Sequence, residues 1–123
     1  MSDTKLVTRA GFYRASKVIG VKVETSRGEP VGKIEDLVLD PGEGRVAAAI
    51  IATGGFLGVG ERLIAIPILA LSVDAERGKF ILDVDKEMLD HAPSFKKDEW
   101  PDLIDRVWTA EVYTYYGYPR YWP

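Results

Sequence analysis

The hydrophobic and polar positions in the first two thirds of the chain follow the repeats typical of β-strands. Ile19, Val21 and Val23 alternate with glycine and polar residues, which predicts a half-buried strand beginning near Lys17. Residues 46–52 (VAAAIIA) are continuously apolar, which predicts a central strand covered on both faces. Further strands are expected over residues 31–39, 61–66, 68–73 and 80–84, separated by turns rich in glycine and charged residues.

The strand that follows Pro30 changes its pattern partway. Apolar side chains occupy both faces near Leu37, which indicates a β-bulge or a strand covered on both sides at its far end. Asp36 lies among these apolar residues, and two roles are open for it. It is either a buried acid with a raised pKa that relays protons, or a structural group whose hydrogen bond or ion pair, for example with Arg62, fixes the bulge. We expect the structural role, because buried polar groups are usually satisfied in this way.

Beyond Asp85 the repeat changes to that of helices. Asp85 is expected to be the N-cap of a short helix over 86–91, and a second helix is expected to begin at Asp98 and end at Gly117. Strands followed by helices predict a mainly β protein, a small antiparallel barrel with short C-terminal helices, rather than alternating βαβ units. The predicted parts are an N-terminal arm (1–14), a β-barrel (15–84) and a C-terminal helical and aromatic tail (85–123).

Composition narrows the class of protein. Sixteen Lys and Arg against 19 Asp and Glu make the chain mildly acidic, whereas nucleic-acid binding calls for a basic surface. There is no cysteine, which excludes disulfides and thiol chemistry and is compatible with the cytoplasm. No apolar run approaches the roughly 20 residues of a membrane helix, and the N-terminus has no signal-peptide pattern. We therefore expect a cytoplasmic protein without membrane insertion.

Two features of the sequence are candidates for chemical function, a glycine-rich loop and a single histidine. The loop glycines Gly54, Gly55, Gly58 and Gly60 precede a strand rather than a helix and match no phosphate-loop spacing, so we expect a tight barrel corner. His91 is the only histidine, and neither a catalytic triad nor a zinc motif can be assembled around it. We expect no catalytic residue, no cofactor and no metal site. The nearby carboxylates do not follow calcium-loop spacing: Asp83, Asp85, Glu87 and Asp90.

Aromatic residues are concentrated in the C-terminal tail. Their large apolar area and polar tips suit interfaces. A single-strand nucleic-acid platform would need a basic groove, and only Arg106 and Arg120 lie nearby. Two readings stay open: the tail packs on its own barrel, or it forms an oligomer interface. The candidate interaction surface comprises Trp108, Tyr113, Tyr115, Tyr116, Tyr118, Tyr121 and Trp122.

A family resemblance extends over residues 15–84. The stretches that carry it are SKVIG at 16–20, GKIEDL at 32–37, the run from Arg45, and GGFLGVGER at 54–62 leading into AIP at 65–67. Together they resemble the PRC-barrel, which occurs in the reaction-centre H subunit, in a bacterial ribosome-maturation factor and as stand-alone bacterial proteins. The resemblance implies a non-catalytic barrel used in protein–protein contact and complex assembly.

The sequence thus predicts a non-enzymatic interaction or assembly module. Its expected partners are other proteins, including a second copy of itself as a homodimer, and not nucleic acid. The alternative is a small-ligand-binding or regulatory barrel that uses the loop from Gly54 to Gly60.

Overall fold

The computed structural model describes residues 13–54 and 61–123. Within these ranges one seven-stranded sheet carries short helices at its ends and on one face. The helices are α1 (Ala15–Val18), α2 (Lys86–Asp90) and α3 (Val107–Tyr116), and a 3₁₀ turn spans Ile68–Ala70. The strands are β1 (Lys22–Thr25), β2 (Pro30–Asp40), β3 (Arg45–Thr53), β4 (Arg62–Pro67), β5 (Leu71–Asp74), β6 (Lys79–Leu82) and β7 (Ser94–Phe95).

The strand order is β5-β6-β1-β2-β3-β4-β7. Every neighbouring pair is antiparallel except β1 and β6, which run parallel. The predicted mainly β class is confirmed, but the prediction of a purely antiparallel sheet is wrong. The long excursion through β2 to β5 separates β1 from β6, and a connection of that length permits parallel pairing. In the ranges above, β5 and β7 are two free edges, so the predicted barrel closure is not observed among these strands.

The bulge predicted near Leu37 is confirmed. The register between β2 and β3 shifts between Ile34 and Asp36 and again between Val38 and Leu39, on both sides of that residue. Each shift moves the following side chains to the other face of the sheet. The inserted residues therefore explain why apolar positions fall on both faces of β2.

The central strand β3 separates two hydrophobic layers, as its unbroken apolar run predicted. Ala49 and Ile51 belong to the inner layer, whereas Ala48 and Ile50 belong to the outer layer. The inner layer also contains residues of β1, β2, β4, β6 and α2. The outer layer consists of the second faces of β3 and β4, covered by α3 and the tail. The C-terminal segment is thus the second covering layer of the sheet.

Some element boundaries differ from those predicted. The first strand begins at Lys22 rather than near Lys17, because α1 occupies Ala15–Val18. The last helix begins at Val107 rather than Asp98. Its predicted end at Gly117 is confirmed, and this residue has a φ of 78°, the left-handed conformation that glycine adopts most readily. None of the helices in the described ranges is long and apolar enough to cross a bilayer.

Candidate interaction surface

The tail residues Tyr113 and Trp122 are buried in the outer layer. The Tyr113 hydroxyl donates to the carbonyl oxygen of Ala47 over 2.6 Å, and its ring meets that of Trp122 edge to face. These two residues are therefore removed from the candidate interaction surface, because the chain itself already covers them. Both side chains pack against the apolar outer face of β3 and β4. The sequence pattern alone does not show which of the aromatic residues do so.

The other aromatic residues of the predicted surface are half-buried. Tyr115 donates through its hydroxyl to the carbonyl oxygen of Met88, over 2.6 Å, which ties α3 to α2. The Tyr116 hydroxyl is buried without a partner among the described residues, and burial raises its pKa well above the ordinary value. The partly exposed members of the set are Trp108, Tyr115, Tyr116, Tyr118 and Tyr121. Most of the aromatic area thus packs within the chain, and a partial area stays available to a partner.

Asp40, at the end of β2, is the centre of a polar cluster that was not predicted. Its buried carboxylate accepts hydrogen bonds from the Arg106 guanidinium at 2.8 and 3.3 Å and from the Tyr121 hydroxyl. The bonds from Arg106 and then from Tyr121 lower the pKa of Asp40 to about 2. Burial and the bond to Asp40 raise the pKa of Tyr121 to about 12. The cluster fastens the tail and the segment before α3 to the sheet.

Two cations also lie on tail rings at this cluster. The Arg45 guanidinium is 3.9 Å from the centre of the Tyr121 ring, and that of Arg106 is 5.1 Å from the Trp122 ring. Such contacts are favourable because the face of an aromatic ring is negative. The end of the chain is therefore held by charge as well as by apolar burial.

Large apolar side chains remain exposed beside this cluster. Leu39 is 66% exposed, Leu103 is 46% exposed and Ile104 is 94% exposed. All three border a hollow of about 230 Å³ that also contacts Asp40 and Arg106. The ion pair brings the end of β2 next to the turn before α3, and so places these side chains together. Leu39, Leu103 and Ile104 are called the apolar patch below.

The apolar patch was not predicted. Ile104 follows the helical spacing of the residues after it, and a helix from Asp98 would have buried it. Instead, the Asp102 carboxylate accepts a hydrogen bond from the Ile104 amide at 2.8 Å, and Asp105 accepts one from the Val107 amide at 3.0 Å. Aspartate side chains that bond to nearby amides favour turns over helix. Asp102 and Asp105 are therefore the residues from which a turn, rather than a helix, could have been predicted here.

The predicted interaction between Asp36 and Arg62 is wrong. Asp36 is exposed, and its carboxylate accepts a hydrogen bond from the adjacent Leu37 amide. Arg62 donates instead to the carbonyl oxygens of Leu89 and Asp90, at 3.2 and 3.4 Å. The shift in register after Ile34 turns Asp36 to the solvent, so neither a buried proton relay nor a buried ion pair forms.

The glycine loop and His91 are the other predicted positions. Gly54 has a φ of 75°, which suits a tight corner, whereas Gly55, Gly58 and Gly60 lie outside the described residues. His91 follows the end of α2. In the parts of the chain with assigned structure, no three histidine or carboxylate groups converge as a metal site would require.

Comparison with known proteins identifies the family. The PRC-barrel domain family matches residues 10–89. No curated protein matches the sequence. Among solved structures, a protein described as the 16S ribosomal RNA processing protein RimM of Pseudomonas aeruginosa is similar, with 21% identity and a TM-score of 0.40. The similarity covers 66% of this chain and 50% of that protein, so the chain spans half of its length. Because the family match includes more than half of the 123 residues, this chain belongs to the PRC-barrel domain family.

Proposed function

We propose that this PRC-barrel chain is a non-enzymatic protein-interaction module, and that a second copy of the chain docks on its apolar patch. The observation that carries the proposal is the high exposure of Leu39, Leu103 and Ile104 around one hollow. Scattered apolar residues are normal on a protein surface, but a group of large ones beside one another is typical of a contact site. A twofold contact would bring this group against the same group of the other copy.

The apolar patch is held in place before any partner binds. Arg106 and Asp40 join the two segments that carry it, and the Asp102 carboxylate holds the turn at Ile104. A surface that is already ordered loses less conformational entropy on association. Three charged groups border the hollow. Asp40 and Arg106 bind each other, and the Asp105 carboxylate accepts a hydrogen bond from the Val107 amide. This arrangement supports a role in contact rather than catalysis.

The expected affinity is modest. Full burial of one large apolar side chain contributes about 1.5–3 kcal/mol, and association itself has a large entropic cost. Three such side chains would support a reversible contact. The half-buried aromatic residues, Tyr121 foremost because it binds Asp40, are proposed as flanking contacts. In this proposal residues 15–84 form the scaffold, and residues 85–123 cover it and supply most of the contact surface.

The test is sedimentation velocity over a range of concentrations, with wild type, a Leu39→Ser/Ile104→Ser variant and a Leu69→Ser control. Leu69 is 63% exposed, so the control removes a comparable apolar side chain away from the patch. We expect reversible dimers for wild type and Leu69→Ser, and monomers with an unchanged melting temperature for the double variant. Wild-type protein that stays monomeric at every concentration would overturn self-association. Dimers that survive the double substitution would show that another surface is used.

A further inference from the structure

Three lysines form a row across neighbouring strands of the sheet. Lys22 on β1 lies directly opposite Lys33 on β2. The parallel register that pairs Val23 with Phe80 places Lys79 on β6 beside Lys22. All three border one open cavity of about 510 Å³. We call Lys22, Lys33 and Lys79 the lysine row.

The lysine row has more positive charge than its surroundings neutralise. Lys79 is bound to the buried carboxylate of Glu24 at 2.9 Å, and Arg77 binds the same carboxylate at 2.6 Å. Among the described residues no carboxylate lies within 4 Å of the ammonium groups of Lys22 and Lys33, although Glu24 and Glu61 border the cavity. Like charges directly opposite on paired strands are destabilising. An anion between these two lysines would remove that cost.

The cavity also has a suitable size and a partly apolar lining. Small-molecule sites usually measure about 300–1,000 Å³ and combine apolar walls with a few polar groups. Here Pro30 and Ala52 border the cavity beside the lysine row. Ala52 lies directly opposite Lys33 on the neighbouring strand and belongs to the outer hydrophobic layer. The apolar side of the cavity is therefore next to Lys33. The apolar part of a ligand could therefore contact these residues while its charged end binds the lysine row.

The number of lysines favours a phosphate over a carboxylate. A phosphate monoester carries a charge of about −1.5 to −2 near pH 7 and has three acceptor oxygens. A carboxylate has one negative charge and two oxygens, so it would neutralise a row of lysine point charges less completely. The nearby Arg77 is occupied by Glu24 and Asp74. We propose that this cavity binds a small organic phosphate monoester, with its phosphate at the lysine row and its organic part against Pro30 and Ala52. The inference does not rest on the apolar patch or on dimer formation.

The binding test is calorimetric titration of the whole chain at low salt with phenyl phosphate, inorganic phosphate and benzoate. Phenyl phosphate is expected to bind with a Kd tighter than about 1 mM and more tightly than the other two probes. Lys22→Ala and Lys33→Ala should each weaken binding by about tenfold, the effect of losing one charge-assisted contact. Glu61→Gln should strengthen it, because a nearby negative charge is removed. Lys17→Ala, on α1, is the matched control and should bind like wild type.

Three outcomes would overturn the site. These are no binding of phenyl phosphate, equal binding of benzoate, or lysine variants that bind like wild type. A second measurement tests the physical premise without a ligand: Lys33→Glu should raise the melting temperature at low salt, because it replaces a like-charge pair with an opposite one. A lowered melting temperature in a folded Lys33→Glu variant would contradict the premise that the charges of Lys22 and Lys33 are uncompensated. The Leu39→Ser/Ile104→Ser variant should bind phenyl phosphate normally, which separates this inference from the proposed function.

Discussion

The hydroxyl of Tyr113 on α3 lies 2.6 Å from the carbonyl oxygen of Ala47 on β3, and this hydrogen bond is buried. It joins the helix that covers the sheet to the strand at its centre. The surrounding rings of Tyr121 and Trp122 meet the Tyr113 ring with centres 5.7 and 5.4 Å apart. The covering layer is therefore anchored by a specific polar contact within an otherwise apolar interface.

Removing this hydroxyl should destabilise the protein. Tyr113→Phe keeps the ring but leaves the buried Ala47 carbonyl without its partner, which we expect to lower the free energy of unfolding by about 1–3 kcal/mol. Urea denaturation measures the change. Tyr118→Phe is the control, because its hydroxyl makes no hydrogen bond to the described residues, and it should change stability little. Equal effects of the two substitutions would contradict a specific role for the Tyr113 bond.

The Asp40 cluster should stabilise the fold down to low pH. Its pKa of about 2 lies below the ordinary value of 3.8, so its contribution is complete above pH 4 and is lost as the pH falls through 2. Asp40→Asn should therefore lower the melting temperature at pH 7, with a difference from wild type that shrinks only below pH 4. Thermal unfolding followed by circular dichroism measures this. Asp36→Asn, at an exposed position, is the control. If the higher melting temperature of the wild type over Asp40→Asn were already lost at pH 5, the low pKa of Asp40 would be contradicted.

Gly32 is required by close packing of β2 against β3. A Cβ at this position would overlap the carbonyl oxygen of Ala52 on the neighbouring strand. Because that oxygen belongs to the backbone of a central strand, it has little freedom to move. Gly32→Ala should cost at least about 2 kcal/mol of unfolding free energy. Gly42→Ala is the matched control, since its Cβ would make only an ordinary contact, 3.7 Å from the Asp40 carboxylate. Similar stabilities for both variants would refute the steric argument.

The end of the tail should be needed for stability. Truncation after Gly117 removes Trp122 and Tyr121 and uncovers part of the outer face of β3 and β4. We expect a loss of about 3 kcal/mol or more, the usual effect of deleting a buried tryptophan, together with new binding of a hydrophobic dye. Deletion of the exposed Pro123 alone is the control. A truncated protein with the wild-type melting temperature and no dye binding would show that the tail is dispensable as a cover.

The strands could be predicted because their evidence is local. The continuous apolar run of β3 and the turns beside β2 and β6 follow from neighbouring residues, as does the helix end at Gly117. The boundaries of α1 and α3 could not be placed in this way. Aspartate side chains at positions 102 and 105 favour a turn there, whereas the helical spacing that Ile104 shares with the residues after it gave the opposite indication.

The candidate surfaces depended on contacts between distant segments. Aromatic residues in the tail indicated contact, but only the folded chain shows Tyr113 and Trp122 turned inward and Ile104 turned outward. Asp40 and Arg106 are 66 positions apart, and the lysine row joins three strands through register. The amino-acid sequence by itself determined the β class and the family, because both depend on short-range patterns and motifs. Only the tertiary structure decided strand direction, burial and charge pairing, because these depend on which distant residues meet.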